Sequence, residues 1–88
     1  MNVYLVHCEY YDYHECAGGS RLLGIYSSME LAMEARKSCV EAELECASAP
    51  NNPARLSMDA DNNPVVTMFY FGEPVEDSTF TIEEWVVH

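Results

Sequence analysis

The sequence predicts an α+β domain of order ββαββ, a four-stranded antiparallel sheet with one helix packed on one face. Three observations carry this. Only Ser27 to Cys46 has helical periodicity. The flanking segments Val3–Cys8, Arg21–Tyr26, Val65–Phe71 and Thr79–Val87 are rich in β-branched and aromatic residues, as strands are. Finally, 88 residues make one small domain, residues 1–88, with no room for a second core.

Val3–Cys8 has few polar breaks and is expected to be a central strand buried on both faces. Glu9–Ser20 reads as a loop or hairpin tip, with Gly18-Gly19 supplying freedom to turn. Arg21–Tyr26 returns antiparallel to the first strand. Ser27 and Glu30 have the spacing of a capping box, and Tyr26 and Leu31 that of a hydrophobic staple. The helix frays around Ala47 to Ala49 and stops before Pro50.

The helix divides into strips. Glu30, Glu34, Lys37, Ser38, Glu41 and Glu45 share a polar face. Leu31, Ala35, Cys39, Ala42 and Cys46 form a small-residue strip suited to close packing on the sheet. Met29, Ala32, Met33, Val40, Leu44 and Ala47 form a second apolar strip, with Arg36 and Glu43 between the two. The apolar arc, about 200° wide, exceeds what sheet packing needs, so loops or a partner, a second copy included, cover the excess.

Ser48–Pro64 is a long connection rich in Pro and Asn, from which Leu56 and Met58 are expected to tuck back onto the second apolar strip. Gly72-Glu73-Pro74 begins a turn. In the last strand the alternation breaks at Glu83-Glu84, which predicts a bulge or an edge there.

Fifteen acids against four bases give a net charge of -11, while a hydrophobic fraction of 49% sets the chain apart from a disordered acidic tail. Such a surface repels nucleic acid and anionic membranes and attracts basic protein. No stretch is apolar enough to cross a membrane. Met1–Val6 lacks a basic segment of the signal-peptide kind, so the expected setting is a cytoplasm with reduced thiols.

Four constellations invite chemistry. His7, Cys8, His14 and Cys16 are zinc-ligand types, but neighbours on a strand point to opposite sides, so at most one of His7 and Cys8 could join the other two. The expectation is no metal and no cofactor. Cys39 and Cys46 stand roughly 10 Å apart along the helix, too far for a disulfide. Asp59, Asp61 and Asn63 open like a calcium loop, yet Pro64 occupies the glycine position. Cys8 or Cys16 with His14 is the only nucleophile–base pairing on offer, in a domain with little room for a pocket. The chain is expected not to be an enzyme.

Two features suggest binding. Tyr10, Tyr11, Asp12, Tyr13 and Glu15 mix tyrosines, which suit interfaces, with acids; the alternative is tyrosines that flank the core from an edge strand. Glu30, Glu34, Glu41 and Glu45 align along the helix. A solvated face would explain them, except that like charges at i, i+4 destabilise a helix. Beyond Arg55 there are also seven acids and no Lys or Arg. Carboxylates one or two turns apart roughly match phosphate spacing.

Val3-Tyr4-Leu5-Val6, Gly24-Ile25-Tyr26-Ser27-Ser28 and Ile82-Glu83-Glu84-Trp85-Val86-Val87 resemble the framing of small bacterial and phage domains of unknown function, with a "GxFSS-like" helix start and a closing "IEEWxV-like" strand. The resemblance implies the ββαββ layout and a bacterial or phage cytoplasmic origin, and transfers no catalytic residue. Tyr10–Cys16 and the Asn/Pro loop depart from it.

The expected function is that of an acidic, non-enzymatic interaction protein. Its concrete form would be a phage-encoded inhibitor of a host defence complex, CRISPR–Cas or another nucleic-acid-handling assembly, acting by nucleic-acid mimicry. The partner would be a basic protein or nucleoprotein surface rather than nucleic acid or membrane, with a homodimer as an option. The alternatives are a nucleotide-signal sponge, for which Arg21, Arg36 and Arg55 would have to converge, and a zinc-stabilised module.

Overall fold

The computed structural model describes residues 1–87. Its elements are β1 (Asn2–Asp12), β2 (Ala17–Tyr26), α1 (Met29–Ala47), β3 (Arg55–Met58), β4 (Pro64–Tyr70) and β5 (Glu73–Val86). The sheet is antiparallel throughout, in the order β2-β1-β5-β4-β3. The α+β class and the single helix agree with the expectation, but the sheet has five strands instead of four.

The additional strand, β3, lies in the stretch read as loop. Its four residues alternate apolar and polar, too briefly to stand out between Pro53 and Asn62. Leu56 and Met58 sit on this strand opposite Val66 and Pro64. They line an apolar groove of about 520 Å³ with Met33, Val40 and Leu44, and both stay half exposed, so they face the second strip without closing onto it.

The first hairpin is also longer than expected. β1 and β2 pair from Tyr4↔Tyr26 to Asp12↔Ala17, leaving a turn over residues 13–16. Gly18 and Gly19 are strand residues. A Cβ at Gly18 would stand 2.5 Å from the Tyr10 carbonyl oxygen, and at Gly19 2.7 Å from the Tyr10 hydroxyl. Their glycines let β2 close onto the aromatic end of β1, which is a reason of space rather than of turning.

Only one face of the sheet is covered. Opposed residues share a face and neighbours alternate, so Val6 and Cys8 lie on the helix side with Ile82 and Phe80. The core there is small. Cys8, Val40, Val66 and Phe80 form its cluster, Leu23, Cys39, Leu44, Ala47 and Ala54 pack against it, and Val6 and Ala32 are fully buried. Val3, Leu5 and His7 point to the bare face, so β1 is central but buried on one face only.

The helix starts one residue later than the capping-box spacing implies. Ser28 is the N-cap, and its hydroxyl accepts from the Leu31 amide at 3.2 Å. Residue N3 is then Leu31, which cannot return a carboxylate bond, and Leu31 is half exposed rather than stapled. The helix seats on the line between the two apolar strips, with Ala32, Val40 and Ala47 along it and Arg36 and Glu43 half buried. The small-residue strip is therefore a shoulder. Arg36 leaves the interface by reaching Asn63 at 3.4 Å, as a long side chain with a polar tip can.

At Glu83-Glu84 the pairing with β1 runs on without a bulge. The irregularities fall at Val6/His7 and Met68/Phe69 instead. Pairing with β4 ends at Val65↔Thr79, so beyond Thr79 β5 has a neighbour on one side only; of the two alternatives, the edge is the one present.

The molecule measures 49 × 24 × 21 Å. A 19-residue helix covers about 28 Å. The sheet therefore runs on past the helix C-terminus as an uncovered arm carrying the 13–16 turn and the Phe71-Gly72 turn.

Candidate functional site

The ridge side chains emerge as the helix dictates. Glu30, Glu34, Glu41, Glu45 and Lys37 are all exposed on the solvent side of α1, on the flank away from the seating line. Glu30 lies in the first turn, where a carboxylate is favoured by the helix dipole. Among the described residues the one acid–base pair within 4 Å is His7 Nε2 with Glu83 Oε2, at 3.3 Å, and its geometry makes no hydrogen bond. No carboxylate of the described chain is that close to a Lys or Arg, so the acidic surface is not neutralised internally.

The structure separates the tyrosine segment from the ridge and divides its roles. Tyr10 lies on the helix side over Gly19. Tyr11 lies on the other side of the sheet and meets Tyr13 edge-on, ring centroids 5.4 Å apart. The Tyr13 hydroxyl donates to Asp77, which also accepts from the Thr67 hydroxyl at 2.7 Å and so ties the turn to two strands. That hydrogen bond holds the Tyr13 phenol above its ordinary range. Asp12 closes the turn by accepting from the amides of His14 and Glu15 at 2.8 and 3.1 Å. Its carboxylate is committed to the fold, whereas Glu15 is free at the tip.

Two further aromatics join this end, and the sequence reading missed them. Tyr70 and Phe71 pack edge-on at 4.4 Å, and Phe71 is 80% exposed. Phe71 has φ 50° and Gly72 φ 79°, the positive pair a two-residue hairpin turn needs. An aromatic residue there is strained. Phe71 looked like strand because it ends an unbroken aromatic run; the Gly immediately after it was the signal for the turn. Asn at this position is expected to raise the thermal midpoint by a few degrees, on about 1 kcal/mol of relieved strain, measurable by circular dichroism melting.

Below the helix C-terminus the acids crowd. Glu43, Glu76 and Arg21 line one open cleft with Cys8, Tyr10 and Ser78, and Asp12 faces Glu76 across the β1–β5 pair. Desolvation first, then Glu43 and Asp12, push the Glu76 carboxyl above its ordinary range. A raised carboxyl favours the fold while protonated, and that contribution is lost as pH rises through the folded value. Glu76→Gln should therefore stabilise the protein at neutral pH and not below about pH 4. Solvent screening holds the gain under about 1 kcal/mol, a few degrees at most. Melting curves at both pH values check it.

The remaining constellations come apart. His7 is mid-strand, paired with Thr81, while His14 and Cys16 lie in the turn past Asp12, itself five residues or about 17 Å along the strand from His7. Among the described residues no group of three or more His, Cys, Asp or Glu could hold a metal. Cys8 is buried on the helix side, and burial pushes its thiol up, away from the thiolate. Cys16 instead donates to the Tyr13 carbonyl at 3.6 Å. The Asp59 carboxylate accepts from the amides of Asp61 and Asn63, at 2.9 and 2.8 Å, with Asn62 at positive φ. The calcium-like spacing is the signature of this tight turn, and its hydrogen bonds hold Asp59 below the ordinary range. Arg21 lies on the helix side, while Arg55 sits over Phe69, 4.9 Å from its centroid, on the edge strand β3, so Arg21, Arg36 and Arg55 do not converge in one chain.

No described helix is long and apolar enough to cross a membrane. Comparison with protein-family models, curated proteins and solved structures returned no match.

Proposed function

We propose that the protein is a non-enzymatic binding module that presents acidic surface to a basic, nucleic-acid-handling partner and occupies the place of phosphate. The observation that supports this reading is the ridge of Glu30, Glu34, Glu41 and Glu45, all exposed, with no Lys or Arg within 4 Å of any carboxylate among the described residues. The net charge of -11 over a 49 Å length is one charge per about 4.5 Å, against about one per 1.7 Å for duplex DNA. A mimic of this density competes best where a partner grips a short stretch of backbone. In the concrete form suggested by the phage-like framing residues, it inhibits a host defence complex, CRISPR–Cas or another nucleic-acid-handling assembly, inside the bacterial cytoplasm.

Immobilised protein exposed to bacterial lysate tests the reading. Retention of nucleic-acid-binding proteins, lost at high salt and competed by duplex DNA, is the expected result. Retention indifferent to both would sink the proposal.

A further inference from the structure

We propose that two copies of this chain associate through their helix-free sheet faces, forming a β-sandwich with both acidic ridges outward. Three observations lead there. The register places Val3 opposite Trp85, and Leu5 and His7 opposite Ile25 and Leu22, on the face that carries no helix. These five apolar residues are contiguous. Ile25, Trp85 and Leu22 are 60, 54 and 49% exposed, a concentration that single chains in water seldom leave bare.

The second observation is area. The chain exposes 6027 Å², whereas a folded monomer of 9.9 kDa exposes about 5,200 Å². Part of the excess of about 800 Å² belongs to the elongated outline. Its size is nevertheless what each partner of a standard interface buries. The bare sheet face is the surface on which a flat, apolar partner fits, and sheets pack face to face at about 10 Å with their inner side chains interdigitated.

The third is charge, which selects the occupant. Two chains at -11 each can meet only where their acids are few. The helix ridge faces the opposite way, and within the apolar patch the one acid is Glu83, opposite Leu5 and 3.3 Å from His7 Nε2, while Glu9 and Asp77 lie further along the same face. The His7 Nε2 atom is buried there without a hydrogen-bond partner. A mostly apolar face that carries His7 beside Glu83 suits the isologous contact of a two-fold dimer, in which these groups of one copy can meet those of the other, and homodimer interfaces are the more apolar kind. A basic partner finds one acid, Glu83, among these five apolar residues. The inference does not rest on the proposed function; it would stand if the ridge bound nothing.

Sedimentation equilibrium of the full chain should give twice 9.9 kDa. Trp85 is the single tryptophan, so quenching of its fluorescence by acrylamide should be shielded at high protein concentration and increase on dilution. The double variant Leu22→Glu, Ile25→Glu should weaken association by on the order of 100-fold, because it would bury carboxylates in the interface. Leu31→Glu with Met33→Glu, on the two exposed flanks of the helix, should leave it unchanged. A single-chain mass for the unmodified protein overturns the proposal. So does Trp85 quenching that does not change with concentration, a measurement that needs no variant to fold. Loss of the dimer in the helix-flank variant would also overturn it, by placing the contact elsewhere.

Discussion

Reversing three ridge acids together, Glu34→Lys, Glu41→Lys and Glu45→Lys, is expected to lower affinity for the basic partner by on the order of 1,000-fold. Close interfacial charge pairs couple by about 1.5 kcal/mol or more, and exposed pairs by less than about 1 kcal/mol. A loss of about 1.4 kcal/mol per position, repulsion included, gives a tenfold drop at each. The fold should be spared, since all three side chains are exposed and, among the described residues, none is within 4 Å of a Lys, Arg or His. Glu30 is left in place because it supports the helix start. Glu9→Lys, Asp61→Lys and Glu73→Lys in combination change net charge by the same amount from other parts of the surface. Titration calorimetry or retention assays on both triples separate the ridge from bulk charge. Equal losses would reduce the ridge to one part of a diffuse field.

The helix was legible because Ser27 to Cys46 carries caps, periodicity and a proline stop, all local signals. Its seating was not. Two apolar strips bracket Arg36 and Glu43, and nothing local says that the sheet would sit beneath the charged line between them. That outcome depends on where Val6, Cys8, Val66 and Phe80 place the core and on Arg36 finding Asn63 across the groove. Strand ends were misjudged for a related reason. Gly18 and Gly19 look like turn residues until the rings and carbonyl of Tyr10 are seen against them, and a four-residue edge strand has no periodicity to detect. The candidate surface was half legible. The helix acids could be placed from spacing alone, whereas the two sides of the tyrosine arm follow from the register, and Tyr70 and Phe71 join it only through the β4–β5 turn.

Phe80→Ala should remove about 3–5 kcal/mol of stability, the usual cost of truncating a buried phenylalanine. Phe80 is 2% exposed at the centre of the sheet, opposite Cys8 and packed with Val40 and Val66. The core cluster holds only four buried residues, and Phe80 is the largest of them. The space it leaves lies between the helix and the sheet, lined by Cys8, Val40 and Val66, and such a cavity relaxes only partly. A domain of 88 residues typically has about 4–13 kcal/mol in total. The variant should therefore melt on the order of 20 °C lower, or be unfolded at room temperature if the parent lies at the low end. If two copies share the open face, the parent's midpoint depends on concentration, because association adds to apparent stability by mass action. The comparison belongs at one fixed concentration, by circular dichroism. A drop of under about 1 kcal/mol would mean that the helix and sheet hold together without the cluster, which would contradict the seating of α1 described above.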